Sequence, residues 1–322
     1  MEREQSVPSR RDRLLGGLWG ALVGDALGVP VEFRPRATLE REPVTDLREY
    51  GTHSQPRGTW SDDSSLLLCT VESLLDGFDT ADLGRRFVRW YQQGHWTPWG
   101  QVFDVGVTTR EAIDNLARGV PAEQAGPGYE RSAGNGSLMR ILPLALHSAS
   151  APPAELLDRV HRASSVTHGH PRAQMASGIH CLVAGALLDG ADARTAYARA
   201  IAQAREYYAD SPYAADLPHF ARVLGGEVQR LPRAEIQTSG YAVHTLEASL
   251  WCLLNAGSFR EAVLAAVNLG DDTDTTGTVT GGLAGLHWGL AAIPADWRDA
   301  LARRDDVAAL FERFVAVIEG TT

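Results

Sequence analysis

The sequence predicts an all-α protein folded as a single compact multi-helix domain, and three observations carry that expectation. Apolar residues recur at spacings of three and four nearly throughout, as at Phe87, Trp90 and Tyr91 and again at Val105, Ile113 and Leu116. Segments of helix length end at polar, Gly or Pro residues, and no run alternates β-branched residues between turn signals. The 322 residues, 44% apolar and 22% charged, suffice for a sizeable core.

Taken in order, residues 1–9 are polar and read as a flexible tail ahead of a domain spanning 10–320. Residues 14–31 are apolar enough to suggest a signal or membrane helix. Asp25 in mid-span, glycine at 16, 20, 24 and 28, and Pro30 without a small-residue cleavage site argue against both. A helix is expected over 66–75, with Ser61 or Asp62 as its N-cap and acids in its first turn. Further helices are expected over 79–91, 138–146, 153–163, 172–188 (with His170 at its start), 241–254, 277–290 and 306–318. The proline-dotted stretches 32–60 and 119–136 read as long connections, which inside a compact domain tend to be functional.

Two glycine rows stand out: Gly16, Gly20, Gly24 and Gly28, then Gly277, Gly281, Gly285 and Gly289. Glycine costs about 1 kcal/mol per helix position relative to alanine, so such rows need an offsetting benefit. A flat helix face that admits another backbone supplies one.

The net charge is −10, which disfavours nucleic acid as a partner. All 30 basic residues are arginine; without lysine there is no Schiff-base chemistry and no lysine for a GxxxxGK[ST] phosphate loop. Cys69, Cys181 and Cys252 lie far apart in apolar contexts and read as reduced core residues. A cytoplasmic, monomeric protein without membrane association is expected.

The acidic clusters carry the chemistry. Ser61, Asp62 and Asp63 precede one apolar helix, and Asp271, Asp272, Asp274 and Thr275 precede another. That carboxylate density exceeds what capping uses, and unneutralised acids repel; a divalent cation is the usual remedy. The donors are carboxylates and hydroxyls only, which select Mg²⁺, Mn²⁺ or Ca²⁺, and four carboxylates balance two such ions. An EF-hand begun at Asp272 fails because its twelfth position is Leu283, and DDxxD registers fail at Leu66 and Thr275. HExxH, GxSxG, GxGxxG and a His-Asp pair are all missing.

Five segments in order then resemble the ADP-ribosylglycohydrolase family. They are Gly20 to Gly28 (GALVGDALG) followed by Glu32; Trp60 to Ser64 (WSDDS); Asp104 to Thr109 (DVGVTT); Gly134 to Arg140 (GNGSLMR) with Thr167 and His168 downstream; and Gly270 to Gly277 (GDDTDTTG). The resemblance implies an all-α domain of the ADP-ribosylglycohydrolase type holding two divalent cations, Mg²⁺ or Mn²⁺, through Ser61, Asp62, Asp63, Asp272, Asp274 and Thr275. Ser61 stands where the family usually has threonine, and a hydroxyl is kept. The implied reaction is hydrolysis of the bond between C1 of the distal ribose of ADP-ribose and an acceptor, a protein side chain or a small conjugate.

Asp62 or Asp63 is the expected residue steering the water, and Glu32 is the alternative acid or base, unless it is merely a solvated loop residue. Gly134, Asn135, Gly136, Ser137 and Met139, entering a helix, are expected to meet the pyrophosphate with backbone N–H groups. Gly106 and Thr108 are expected to line the same ligand, and His168 its adenosine part. Tyr129 and Trp60 offer faces for stacking or for packing. The alternative reading is a non-catalytic ADP-ribose-binding or crystallin-like relative.

Overall fold

A computed structural model describes residues 7–320, so residues 1–6 of the expected tail lie outside the described residues. Ser9, by contrast, caps the first helix through a reciprocal pair with Asp12. Among the described residues there is no strand, only two isolated bridges, Tyr50 with Gln55 and Gly134 with Tyr241. The helices of nine residues or more are α1 (Arg10–Gly28), α2 (Asp62–Leu74), α3 (Thr80–Gln93), α4 (Val107–Ala117), α5 (Pro153–Ser165), α6 (Pro171–Leu188), α7 (Ala193–Ala209), α8 (Ala242–Asn255), α9 (Phe259–Val267), α10 (Thr273–Trp288) and α11 (Arg304–Gly320).

The centre of the domain is the antiparallel pair α1 and α10. A Cβ placed on Gly16, Gly20 or Gly24 would fall within 3.0 Å of the carbonyl oxygen of Gly285, Gly281 or Gly277 respectively, and the reverse substitutions meet the same obstacle. The glycine rows therefore exist to let two backbones touch. Gly289 differs: it ends α10 at φ 79°, where a side chain would be strained. At that end the buried Arg13 donates to the Leu286 and His287 carbonyls at 2.9 and 3.0 Å, satisfying the last turn of α10. Residues Arg10–Val31 are also the described stretch long and apolar enough to cross a membrane, and they are enclosed by the fold.

Around this pair, α8 and α9 flank α10, α6 packs between α5 and α7, and α2 lies against α3 and α11. The expected long connections are less bare than the sequence suggests. Arg36–Arg41 and Ala122–Ala125 are short helices, too brief and too polar to show a periodic apolar stripe. Arg36 ties its loop down by donating to the carbonyls of Leu269, Arg233 and Ile236. Two starts differ from expectation: α10 begins at Thr273, four residues early, and the helix expected over 138–146 is Leu142–His147. Pro143 in its first turn sets that later start.

Replacing Gly281 by alanine is expected to cost about 2–3 kcal/mol by overpacking the helix contact. Gly185→Ala in α6, where a Cβ meets nothing within 4 Å, should instead add about 0.5–1 kcal/mol. Denaturant unfolding of the two variants checks the pair; equal effects would contradict the packing account.

Candidate active site

The α1–α10 contact sets two acidic helix starts against one another. Asp25, wholly buried on α1, accepts from Ser61 N (3.0 and 3.1 Å), Ser64 N (3.0 Å) and Ser64 Oγ (2.6 Å), so the start of α2 is clamped onto α1. Ser61 caps α2 by accepting from Asp63 N at 3.2 Å. At the start of α10, Thr273 Oγ1 donates to the Gly28 carbonyl at 2.9 Å, joining it to the end of α1. Asp272 occupies the N-cap position of α10, yet its side chain caps nothing and accepts instead from Asn135 Nδ2 at 2.8 Å.

The two clusters meet at Asp63, whose Oδ2 accepts from Ser61 Oγ and Thr275 Oγ1, each at 3.3 Å. Asp63 Oδ1, Asp272 Oδ1 and Asp274 Oδ2 are buried without any hydrogen-bond partner. A buried acceptor left unpaired costs about 1–3 kcal/mol, more when charged, so three at two neighbouring helix starts call for an external partner. Hard oxygen donors of this kind suit small divalent cations, and Ser61, Asp62, Asp63, Asp272, Asp274 and Thr275 supply them.

Burial and mutual repulsion set the protonation of these groups. Asp62, Asp63 and Asp274 are held well above the usual carboxylate range, first by desolvation and then by neighbouring carboxylates. Asp272 is raised, again chiefly by burial, against a lowering hydrogen bond from Asn135. Burial lifts Asp25 to about 6 despite its bonds from Ser61 and Ser64.

A cleft of about 340 Å³ opens above the two helix starts, within the range of ligand pockets. Asp62, Asp63, Asp272 and Thr275 form its floor. One wall carries Glu32, hydrogen-bonded to His53 and close to Asp104; these three groups offer ligand atoms within 4.8 Å of one another. Glu32 is only 4% exposed, which removes its reading as a solvated loop residue. Burial, then the charges of Asp104 and Asp272, push it up to about 10. Beside it Phe33 and Asp271 both have φ near 60° and exchange backbone bonds, Phe33 N to Asp271 O and Asp271 N to Arg34 O, which locks this wall to the α10 start.

Gly106, Thr108, Gly134, Asn135, Gly136, Met139 and His168 also line the cleft. Gly134–Met139 forms a turn rather than a helix start, with Met139 N bonded to the Asn135 carbonyl at 3.1 Å. Its N–H groups therefore come from a turn, not from a helix terminus. Ser61, Ser137 and Asp274 stand behind the lining surface; the Ser137 and Ser164 hydroxyls pair at 2.8 Å. Trp60 is fully buried and donates to the Trp96 carbonyl, so it packs and does not stack on a ligand. Tyr129 bonds Glu111 and is not among the lining residues. His170 caps α6, as its position before Pro171 suggests.

Sequence reasoning missed Asp25, His53, Phe33 and Arg131 as site residues, and Asp104 entered only as part of a motif. Asp25 had a signal, an acid in an otherwise apolar helix. Arg131 is the cationic side chain lining the cleft, and single-sequence patterning does not separate it from 29 other arginines.

Two acidic helix starts beneath a carboxylate-lined cleft in an all-helical domain form the frame of the site. A family model for ADP-ribosylglycohydrolase matches residues 6–322, and the chain belongs to that family. It is similar to ADP-ribosylarginine hydrolase Tri1 of Pseudomonas putida, 35% identical over 297 residues covering 90% of this chain and 74% of the relative. It is 30% identical to ADP-ribosyl-[dinitrogen reductase] glycohydrolase of Rhodospirillum rubrum, covering 91% and 92% of the two chains. A solved structure described as an ADP-ribosylglycohydrolase-related protein complex matches with TM-score 0.80 and 37% identity, covering 96% of this chain and 99% of that one.

The raised acids hold protons more tightly in the folded than in the unfolded state. Their contribution to stability is complete below the ordinary carboxylate range and is lost as pH rises through the folded values, about 6 for Asp25 and about 10 for Glu32. Chelator-treated protein is expected to unfold at lower denaturant at about pH 9 than at about pH 7, with a shallower loss in Asp63→Asn. A midpoint that climbs over this window would contradict the assignment.

Proposed function

We propose that the protein is a divalent-cation-dependent ADP-ribosyl hydrolase that releases ADP-ribose from arginine acceptors on proteins or small conjugates. The observation that carries this reading is the set of three unpaired, buried carboxylate oxygens at the facing starts of α2 and α10. Ser61, Asp62, Asp63, Asp272, Asp274 and Thr275 would hold two ions, Mg²⁺ or Mn²⁺. When bound, such ions offset the carboxylate charge, polarise ribose hydroxyls and acidify a water.

The protein's own groups do the rest. Asp62 and Asp63 line the floor and orient the water that attacks C1 of the distal ribose. The C1–N bond breaks as the C1–O bond forms; the attacking water gives a proton to Asp62 or Asp63, and the leaving nitrogen takes up another. Glu32, buried beside His53 and Asp104, would donate that proton. The Gly134–Met139 turn and Arg131 meet the diphosphate from the other side. The Asp104 carboxylate beside Glu32 complements a guanidinium, and exposed Phe33 offers an aromatic face. The name of the Pseudomonas relative points to the same acceptor.

Incubation with ADP-ribosyl-arginine and ADP-ribosyl-serine peptides tests the reading. Release of ADP-ribose is expected from the arginine conjugate with Mg²⁺ or Mn²⁺, abolished by EDTA, and slowed about 10²–10⁴-fold by Glu32→Gln. No release from either conjugate sinks the hydrolase reading; faster release from serine sinks the arginine assignment.

A further inference from the structure

Arg140 is a fully buried guanidinium with no acidic partner among the described residues. Its NH2 group donates to the Ala163 carbonyl at 3.0 Å and to Thr167 Oγ1 at 2.7 Å, and its Cζ lies 4.5 Å from the Phe87 ring centre. Arginine donates only, so Thr167 Oγ1 must accept, and its own hydrogen needs an acceptor in turn. Among the described residues, the remaining partner of that hydroxyl is His168 Nδ1, at 3.0 Å. Both Thr167 and Arg140 are out of water, so this hydrogen has no solvent alternative.

We propose that Arg140, acting through the Thr167 hydroxyl, holds His168 as the neutral tautomer with its proton on Nε2, giving the cleft a fixed, uncharged donor. Arg140 and Thr167 are positioning residues, and the ligand atom served is an oxygen acceptor of the adenosine diphosphoribosyl group. For its ligand the inference rests on the proposed function; for the tautomer it does not.

Two further observations put Nε2 at the cleft. His168 lines the cleft, and its ring lies directly beneath Gly134 and Gly136. A Cβ on Gly136 would stand 2.7 Å from Cε1 and 3.2 Å from Nε2, and one on Gly134 3.3 Å from Nε2. These glycines are what leave Nε2 open to the cleft. The backbone of His168 is fixed as well: its N–H donates to the Ser164 carbonyl at 2.7 Å, and its carbonyl accepts from Ser164 Oγ at 3.1 Å. Burial and the Arg140 charge both oppose protonation, holding the imidazole down to about 3.

Nitrogen-15 spectra of histidine-labelled protein, with the His168 signal assigned through His168→Gln, read the tautomer without ligand. A protonated Nε2 and a bare Nδ1 are expected near neutral pH; a protonated Nδ1, or an imidazolium, overturns the proposal. Calorimetry with ADP-ribose should show binding weakened about tenfold in Thr167→Val, the size of one lost hydrogen bond, and nearly restored in Thr167→Ser. A folded Thr167→Val with unchanged tautomer and unchanged affinity also overturns it. Failure of the wild-type protein to bind ADP-ribose defeats the ADP-ribosyl reading instead, and the spectra still decide the relay.

Discussion

The contact on which the molecule depends is backbone against backbone. Where α1 crosses α10, carbonyl oxygens of Gly277, Gly281 and Gly285 occupy the space that side chains on Gly24, Gly20 and Gly16 would fill. Each of these glycines gives up about 1 kcal/mol of helix propensity. What the protein gains is position. With the helices this close, the Gly28 carbonyl reaches Thr273 Oγ1 at the start of α10, and Asp25 reaches the backbone at the start of α2. Both acidic helix starts thus refer to one rigid element, α1.

The arrangement concentrates charge that the fold itself does not resolve. Asp63, Asp272 and Asp274 each keep a buried oxygen unpaired, while Asp272 sits at an N-cap without capping. A sequence optimised only for stability would not leave these groups so, and strain of this kind is expected at functional sites. The cleft is lined by acids, by the glycine turn, and by Arg131 and His168. Part of the net charge of −10 is therefore local to this cleft.

Much of this was legible in the sequence because it rests on local pattern. The acidic clusters, the glycine rows and the helix-length apolar segments are all short-range signals. Thr80–Gln93 and Pro171–Leu188 fall within two residues of expectation because Asp79 and Pro171 mark their starts. The rest depends on tertiary contact. The partners of Asp25 lie more than 35 residues away, the environment of Glu32 is made by His53 and Asp104, and the Arg140–Thr167–His168 chain joins two segments. Trp60 looked available for stacking until its surroundings closed over it. The turn at Gly134–Met139 escaped because a glycine-rich helix start and a free-standing turn have the same composition, and the later Pro143 decides between them.

The central claim is that the α1–α10 contact assembles one buried carboxylate site that needs cations. Titration of chelator-treated protein with Mn²⁺, repeated in buffers of different ionisation enthalpy, addresses it directly. The account predicts two ions bound per chain with release of protons from the raised carboxylates, and loss of that binding in the Asp63→Asn, Asp274→Asn double variant. Absence of binding, or binding that survives the double substitution, would contradict it.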